Sequence, residues 1–474
     1  MLNLNRELDN EIVNTLITDT IGRRKKVINF IKLISSIQNN EIIALNGAWG
    51  SGKTVFMKQF ELLINFINNY DENGEIANEE LKTNNLLCLK NIDEATIEEL
   101  NKIVKNNQDN LRTYFEGNTT NCLYFNAWEY DNNREPILSI IYKIINDFPY
   151  LSAHIENTEF KKMTATLDVI SLFLTKGHIN ASEYISSEKL IEGIHTSEEI
   201  KIQINYLFDK LLEENSNKMI IVIDELDRCR PTYAMRLLEE IKHYIRNENI
   251  IVILTTNIQQ LSNTIKNIYG YKFDVDEYLD KIIDMTFSLP PIDKLNYIRS
   301  LPLESNNHSD NWFTETIIAY VNFKRLEMRS INRFITLMNV YENHIYLKKS
   351  KYNKMRRILQ YIFLPYCLGE QIFNSNNYND FVRGNGYNEF FKYISSSEKL
   401  LYIINYCLYP STPKEKRNLE SDLKKIYDAV YNQNQENWNL QVGNIEIDKY
   451  DVEYYNDLCT MLSDFIMPEN NNER

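Results

Sequence analysis

A glycine-rich turn near the N-terminus limits the folds that are open to this chain. The turn Gly47-Ala48-Trp49-Gly50-Ser51-Gly52 follows an apolar run at 42–45 and leads into Lys53-Thr54. Glycine reaches positive φ and lets the backbone approach an anion closely. Amide groups of such a turn, at the start of a helix, form a concave site for phosphate oxygens. The spacing is that of a phosphate-binding loop, so we predict a nucleoside triphosphate site; the alternative is a glycine-rich turn without a ligand.

The residues after the turn have defined roles in such a loop. Lys53 would reach the β- and γ-phosphates, and the Thr54 hydroxyl would bind Mg²⁺. Apolar residues then recur at helical spacing, which places the turn between a strand and a helix. We therefore assign nucleotide binding to the turn and to the three residues that follow it. The residues are Gly47, Ala48, Trp49, Gly50, Ser51, Gly52, Lys53, Thr54 and Val55.

The composition is that of a globular protein of two or three domains. The 474 residues include 52 basic and 66 acidic side chains, a formal net charge of −14. This acidity disfavours a nucleic-acid or anionic-membrane partner, although a local basic patch would leave DNA binding open. Cysteines and histidines are scattered without metal-ligand spacing, which argues against zinc and favours reduced thiols. The N-terminus lacks an apolar signal core and no transmembrane stretch is evident, so we predict a cytoplasmic protein.

Three further apolar runs predict the other strands of a parallel sheet. Each run is followed by polar residues. Because the carboxyl ends of parallel strands meet at one edge of a sheet, these polar residues would gather beside the phosphate loop. The sequence therefore predicts an α/β core. The runs are 122–125 before Asn126, 219–223 before Asp224-Glu225, and 250–254 before Thr255-Thr256-Asn257.

The remaining patterns divide the chain into two domains. Polar or weakly periodic sequence predicts insertions near 68–120 and 150–197. The pair Pro290-Pro291 closes the predicted core domain, 1–291. Residues 292–474 have helical periodicity and little strand signal, so we predict a mostly α-helical C-terminal domain. Its helix candidates lie near 312–322, 330–347, 353–368, 398–408, 414–430 and 450–466.

An acidic doublet gives the predicted site the means to hydrolyse a nucleotide. Asp224 would hold Mg²⁺, and Glu225 would orient or deprotonate the attacking water. The alternative for Glu225 is a cap on the next segment or an ion pair with Arg228. An acidic doublet at the end of a buried strand is costly without a ligand, which favours the catalytic interpretation.

Two more residues near these strand ends have two interpretations each. Asn257 would either contact the γ-phosphate as a sensor or form a turn. Arg228 would stabilise developing charge, in cis or across a subunit interface, or pair with Asp227 or Asp224.

Two basic segments lie further from the motifs. The cluster at 22–26 would lie near the nucleotide or, as we favour, begin a solvated helix. Arg329 and Arg333 are one helical turn apart and would close onto phosphate or, as we favour, be surface charge.

Taken together, the motifs resemble those of the KAP family of P-loop NTPases over roughly residues 20–340. Segments at 278–290 and 329–333 also resemble that family. The main motifs are Trp49-Gly50-Ser51-Gly52-Lys53-Thr54, Phe125-Asn126-Ala127-Trp128-Glu129-Tyr130 and Ile223-Asp224-Glu225-Leu226-Asp227-Arg228.

The resemblance implies an additional-strand P-loop core related to AAA+ and STAND ATPases, with a helical segment after it. It also implies Mg²⁺-dependent ATP hydrolysis and a role in phage exclusion or another prokaryotic conflict system. Many members carry transmembrane helices between the two Walker motifs, which this sequence lacks, and many have Asp in place of Glu225. By the same resemblance, Trp128 and Tyr130 would pack behind the nucleotide and Glu129 would reach its polar edge. The alternative is that the two aromatic residues belong to the core and Glu129 is solvated.

Three functional hypotheses follow. In the first, ATP closes the helical domain onto the core, hydrolysis reopens it, and the change is read by a protein partner or by homo-oligomer assembly. The second is a nucleotide-stabilised interaction scaffold with little turnover, which the intact loop and acidic doublet argue against. The third is a DNA-acting ATPase, which salt-dependent DNA binding would support.

Overall fold

A computed structural model describes most of the chain, which divides into two compact units, 1–293 and 294–474. The predicted insertion at 150–197 lies outside the described residues. Within the part of the chain that is described, no helix combines the length and apolarity needed to cross a membrane. The described residues are 2–71, 73, 75, 93–106, 109–115, 120–133, 135–148, parts of 202–212, 218–301, 312–347, 354–410, 413, 417–432 and 440–463.

The first unit is built on a five-stranded parallel sheet; the sequence predicts the parallel sheet and four of its five strands. The strand order is β4-β5-β6-β1-β7, and residues of β5 and β6 are almost all buried. Strands buried on both faces read as continuous apolar runs, which is why β5 and β6 could be predicted. Two-residue strands form a separate antiparallel pair. The strands are β1 (Ile42–Asn46), β2 (Lys105–Asn106), β3 (Asp109–Asn110), β4 (Thr120–Asn126), β5 (Lys218–Asp224), β6 (Ile250–Thr256) and β7 (Met285–Ser288).

The sheet has the additional-strand arrangement. β6 lies between β1, which leads into the glycine-rich turn, and β5, which ends in Asp224. The sheet has one strand beyond those that the apolar runs predict, because β7 pairs in parallel with the other side of β1. Alternate residues of β7 are exposed, as on an edge strand, so its sequence lacks the apolar run that marks its neighbours.

Helices cover this sheet. α3 packs against β4 and β6, and α1 and α2 pack on α3. α5 and α6 begin at Pro136 and Pro231, where proline fits the first turn. The helices are α1 (Leu2–Thr18), α2 (Arg24–Ser35), α3 (Lys53–Asn69), α4 (Glu94–Val104), α5 (Pro136–Asp147), α6 (Pro231–Tyr244), α7 (Ile258–Tyr269) and α8 (Val275–Asp280).

The described part of the predicted insertion at 68–120 contributes to the core of this unit. Leu100 and Val104 of α4 are fully buried, as is Leu111 in a short 3₁₀ turn. Arg112 donates to the carbonyl oxygens of Ile67 (3.0 Å) and Tyr70 (2.8 Å), which ties this segment to the end of α3.

The second unit is mostly helical, as predicted, and has one feature that was not: a small antiparallel hairpin of β8 (Leu440–Val442) and β9 (Ile445–Ile447). A π-helical stretch, Leu359–Phe363, joins α12 to α13. The helices are α9 (Lys294–Ser300), α10 (Trp312–Lys324), α11 (Met328–Leu347), α12 (Lys354–Ile358), α13 (Leu364–Phe373), α14 (Ser375–Val382), α15 (Tyr387–Ser395), α16 (Glu398–Leu408), α17 (Leu419–Tyr431) and α18 (Lys449–Ser463).

Aromatic side chains form much of the core of the second unit, and one buried ion pair lies among them. Glu370 is fully buried, and its Oε1 lies 2.6 Å from Nζ of Lys324. Tyr320 also donates to Oε1 of Glu370, at 3.3 Å. Burial raises the pKa of Glu370, and Lys324 opposes that rise. The fully buried tyrosines are Tyr320, Tyr366, Tyr393, Tyr427 and Tyr455.

Candidate nucleotide site

The glycine-rich turn connects β1 to α3 in the way that a phosphate loop requires. Gly52 caps α3 with φ +83°, and Gly50 has φ +75°, conformations that an L side chain rarely adopts. A Cβ on Gly47 would lie 2.9 Å from Oγ of Ser51. The side chains of Ser51, Lys53 and Leu289 therefore pack closely on Gly47, and Lys53, Thr54 and Val55 form the first turn of the helix.

Lys53 folds back over the turn. Its ammonium donates to the carbonyl oxygens of Gly47 (2.7 Å) and Ala48 (3.3 Å), and only 9% of the residue is exposed. Burial lowers the pKa of Lys53, while the nearby carboxylates of Asp227 and Asp224 act in the opposite direction. Lys53, the predicted phosphate-binding residue, is thus a buried cation that is hydrogen-bonded to the loop itself.

Asp224 ends β5 beside the loop, and its carboxylate is fully engaged. Oδ2 accepts the hydroxyls of Thr54 (2.7 Å) and Tyr124 (2.6 Å). Oδ1 accepts the hydroxyl of Thr255 and the backbone amide of Glu225 (2.8 Å). Strand register explains part of this, because Asp224 is paired with Thr255 on β6. Tyr124 was not predicted to lie at the site, and Thr255 was expected beside the loop only as one of the polar residues after its strand, with no role assigned.

The pair formed by Thr54 and Asp224 fits a magnesium ion. A hydroxyl and a carboxylate are oxygen ligands of the kind that Mg²⁺ takes, and Mg²⁺ is usually held by one or two protein groups together with phosphates and water. Asp224 is 1% exposed, so an ion here would be screened little by solvent. The two predicted metal ligands therefore lie together.

Glu225 follows Asp224 in a strained conformation and is paired with a cation. Its φ is +60°, a left-handed conformation that costs a non-glycine residue about 1–2 kcal/mol. Its Oε1 lies 2.9 Å from Nη2 of Arg228. Burial raises the pKa of Glu225, and Arg228 opposes that rise. Arg228 therefore pairs with Glu225, as in the alternative given for Glu225, and not with Asp227 or Asp224, as in the alternative given for Arg228. The charge-stabilising role of Arg228 stays a prediction.

Two half-exposed tryptophans lie near this ion pair. The guanidinium of Arg228 lies over the ring of Trp128, with Cζ 5.8 Å from the ring centroid. The indole nitrogen of Trp49, in the phosphate loop, donates to Oδ2 of Asp227. Trp49 is 48% exposed and Trp128 is 52% exposed. Tyr130 is partly buried and stacks on Phe125 with ring centroids 4.6 Å apart. The packing of Trp128 and Tyr130 behind a nucleotide stays a prediction.

Asn257 lies at the end of β6 and caps the next helix. Its side-chain oxygen accepts the amide of Gln260 at 3.3 Å. This cap corresponds to the turn-forming alternative to a sensor role, and contact of Asn257 with the γ-phosphate stays a prediction.

Arg23 lies beside the phosphate loop and is buried, contrary to the interpretation favoured from the sequence. The basic cluster at 22–26 was expected to be solvated, yet Arg23 is 2% exposed. Its Nη1 donates to the carbonyl oxygen of Ser51 at 3.0 Å, behind the phosphate loop. Arg23 precedes α2, so its sequence context is that of a surface helix start and does not reveal the contact.

Arg329 and Arg333 lie one turn apart on α11 of the second unit. Arg329 is exposed and Arg333 is partly buried. The binding of phosphate by Arg333 stays a prediction.

The fold and the site define the class of this protein. A phosphate loop after β1, an acidic residue at the end of β5 and a strand between them are the features of an additional-strand P-loop NTPase, a nucleotide-binding protein. A family model described as the KAP family P-loop domain matches residues 23–345. That match spans well over half of the chain, so the chain belongs to the KAP family, as the motifs indicated. The comparison with curated proteins gave no match.

Proposed function

We propose that this chain is a Mg²⁺-dependent ATPase in which the nucleotide acts as a switch. One observation carries the proposal: the buried carboxylate of Asp224 is joined to the Thr54 hydroxyl of the phosphate loop at 2.7 Å. The pair places a hydroxyl oxygen and a carboxylate oxygen together beside the phosphate loop. These are the protein ligands that Mg²⁺ takes when phosphates and water complete its coordination.

Each group has a role in phosphoryl transfer to water. The amides at the start of α3 would hold the phosphate oxygens, and Lys53 would leave the carbonyls of Gly47 and Ala48 to neutralise the β- and γ-phosphates. Thr54 and Asp224 would hold Mg²⁺, which when bound supplies charge neutralisation on the phosphates. Glu225 would accept the proton of the attacking water.

The ion pair of Glu225 with Arg228 suggests how turnover is controlled. A carboxylate that is bound to a guanidinium is a poorer base than one that is free, because the cation stabilises its charged form. Glu225 would act as a base once Arg228 moves away. Arg228, 34% exposed in its side chain, would then be available to stabilise the developing charge on the phosphate or to contact a partner.

The remaining parts of the proposal concern what the switch drives. We assign the core to 1–291 and a helical lid and docking domain to 292–474, with Arg333 reaching phosphate from that domain. The output would pass to a protein partner or to another copy of the chain. Resemblance to the KAP family supports a setting in anti-phage defence or a related conflict system.

A second candidate is a nucleotide-stabilised scaffold that turns over little. The same ion pair of Glu225 with Arg228 favours it, since a base held in this way would leave bound ATP intact. The two candidates agree on binding and differ in hydrolysis.

The test is to measure ATP binding and phosphate release separately, with and without Mg²⁺, for the wild type, Glu225→Gln and Lys53→Ala. We expect Glu225→Gln to bind ATP while losing about a hundredfold or more in turnover, the effect of removing a general base. Lys53→Ala should lose ATP affinity. The matched controls are Glu277→Gln and Lys281→Ala, which remove an exposed surface ion pair (2.7 Å) on α8 and its C-terminal end; both should behave as the wild type.

The other outcomes distinguish the hypotheses. Binding without turnover in every variant, including the wild type, would favour the scaffold. Turnover that rises on addition of duplex DNA, in a manner that salt abolishes, would instead support the DNA-acting ATPase. A wild type that binds no ATP would refute the proposed function.

A further inference from the structure

Arg23 is one of the largest fully buried side chains in the described part of the chain. Arginine is almost never fully buried unless it is paired, and the hydrogen bonds of Arg23 all go to backbone carbonyl oxygens. Burial lowers the pKa of Arg23 to about 10, so the guanidinium still carries its charge near neutral pH. Its Nε is buried without a hydrogen-bond partner. A side chain held at this cost calls for an explanation beyond packing.

The first set of contacts is with the phosphate loop. Nη1 of Arg23 donates to the carbonyl oxygen of Ser51 at 3.0 Å and lies 3.5 Å from that of Gly52. In a trans peptide the N–H group points away from the carbonyl oxygen of the same unit. Holding these two carbonyls on one side therefore directs the amides of Gly52 and Lys53 to the other side. Hydrogen bonding to a cation also polarises the peptide units, which strengthens their amides as donors.

The second contact is with the segment 289–293, which we call the connector. Nη2 of Arg23 donates to the carbonyl oxygen of Pro290. The connector begins where β7 ends, and it is followed by Lys294, the first residue of α9. One guanidinium thus bonds simultaneously to the phosphate loop and to the segment that leaves the core.

The connector is attached to the same region by three further contacts. The amide of Leu289 donates to the carbonyl of Asn46 (2.8 Å), just before the loop. The amide of Asp293 donates to the carbonyl of Ile21 (3.2 Å), two residues before Arg23. The side chain of Ile292 packs so closely on Gly52 that an added Cβ would lie 3.1 Å from its Cδ1. A movement of the loop at Gly52 would therefore displace the side chain of Ile292 and, with it, the connector.

We propose that Arg23 is a positioning residue that couples the phosphate loop to the connector. It directs the loop amides towards the phosphate, and it passes a change in the loop on ATP binding to residues 289–293 and so to the chain that enters the helical unit. The second half of this inference rests on the proposed function, because it needs a nucleotide in the loop. The first half does not.

The first test uses hydrogen exchange on the full chain without nucleotide. Arg23→Lys keeps a cation but loses the fork that bonds two segments simultaneously. Because Pro290 and Pro291 carry no amide hydrogen, the connector is followed at the amides of Leu289, Ile292 and Asp293. We expect these amides and those of 47–52 to exchange about tenfold faster or more, because a charge-assisted hydrogen bond is lost. The matched control is Arg24→Lys. Arg24 donates to the carbonyl oxygen of Ile17 (2.8 Å) rather than to the loop, so this variant should leave the exchange rates of both segments unchanged. Faster exchange in only one of the two segments would overturn the coupling.

The second test adds Mg²⁺ and a non-hydrolysable ATP analogue. In the wild type we expect exchange to change in 47–54 and in 289–293 together, whereas Arg23→Lys should keep the response at 47–54 and lose that at 289–293. If, in the wild type, the analogue changes exchange in the loop but not in the connector, the inference is overturned. This outcome does not depend on whether Arg23→Lys folds. A wild type in which neither segment responds would count against the proposed function instead, and the nucleotide-free comparison would still decide the coupling.

Discussion

The hydroxyl of Tyr124 lies 2.6 Å from Oδ2 of Asp224, the same carboxylate oxygen that accepts the Thr54 hydroxyl. Tyr124 comes from β4, the neighbour of β5 in the sheet. Burial and the Asp224 charge raise the pKa of Tyr124, so it stays a hydrogen-bond donor at neutral pH. When Thr54 turns to bind Mg²⁺, the bond from Tyr124 would keep the Asp224 carboxylate in place.

The first prediction concerns this bond. Tyr124→Phe keeps the ring, over which Nζ of Lys58 lies 4.3 Å from the centroid, and removes only the donor. We expect the Mg²⁺ concentration that half-saturates ATP hydrolysis to rise about tenfold, the lower end of what loss of a group supporting a metal ligand costs. A magnesium titration at fixed ATP measures this. Tyr130→Phe is the control, since Tyr130 packs on Phe125, and an unchanged titration for Tyr124→Phe would contradict the role given to its hydroxyl.

The second prediction concerns the pH dependence of turnover. Only the ionised form of Glu225 accepts a proton, and burial raises its pKa. Turnover at saturating Mg²⁺ and ATP should therefore be complete above that raised pKa and be lost as the pH falls through it, at a higher pH than an ordinary glutamate would give. Because Arg228 lowers the pKa of Glu225, Arg228→Gln should move this acidic limb to still higher pH. Steady-state rates across the pH range measure both.

The same variant separates the two interpretations of Arg228. If the ion pair with Arg228 restrains Glu225 as a base, Arg228→Gln should hydrolyse ATP faster than the wild type at alkaline pH. Loss of a charge-stabilising group would make it slower at every pH. An acidic limb that stays where it is would show that Arg228 does not act on Glu225.

The third prediction concerns the buried pair in the helical unit. Lys324→Met leaves the carboxylate of Glu370 buried without its cation, which should cost about 3–5 kcal/mol of stability. The pKa of Glu370, already raised by burial, would rise further without Lys324. Below that pKa the protonated carboxyl is neutral, so the loss should be smallest at acidic pH and grow as the pH rises. Chemical denaturation at several pH values measures it, and adding Glu370→Gln should recover most of the loss.

The fourth prediction uses Trp49 as a reporter. Its indole donates to Asp227, and a triphosphate in the loop would bring new charge close to the ring. ATP should change the tryptophan emission of the wild type, and Trp49→Phe should lose most of that change while keeping ATP affinity. Trp312→Phe, in the helical unit, is the control. A full response from Trp49→Phe would place the nucleotide away from this residue.

Residues whose role is set by close neighbours in the sequence could be predicted. The phosphate loop and Asp224 belong to this group, because a glycine turn and a strand end define them locally. β5 and β6 could also be predicted, since strands buried on both faces are continuous apolar runs. β7 could not, because four residues at a half-exposed edge carry no such run.

Arg23 and Tyr124 could not be predicted, because their partners are far along the chain. The contact of Arg23 with Pro290 spans 267 residues, and that of Tyr124 with Asp224 spans 100. Nothing in the sequence around Arg23 distinguishes it from Arg24, Lys25 and Lys26, of which the last two are exposed. Only the packing of residues 289–293 on the phosphate loop distinguishes Arg23 from its basic neighbours.

The strand order also determines when, during synthesis, the nucleotide site can form. β1 carries the phosphate loop and is made early, but both of its neighbours in the sheet, β6 and β7, are among the last parts of this unit to be translated. Pairings between distant parts of a chain form late in folding. A ribosome-bound chain that has not yet released residue 256 therefore exposes its loop without either flanking strand, and one that has not yet released residue 288 lacks β7. ATP can protect the nascent protein from proteases or chaperones only after nearly the whole first unit has emerged.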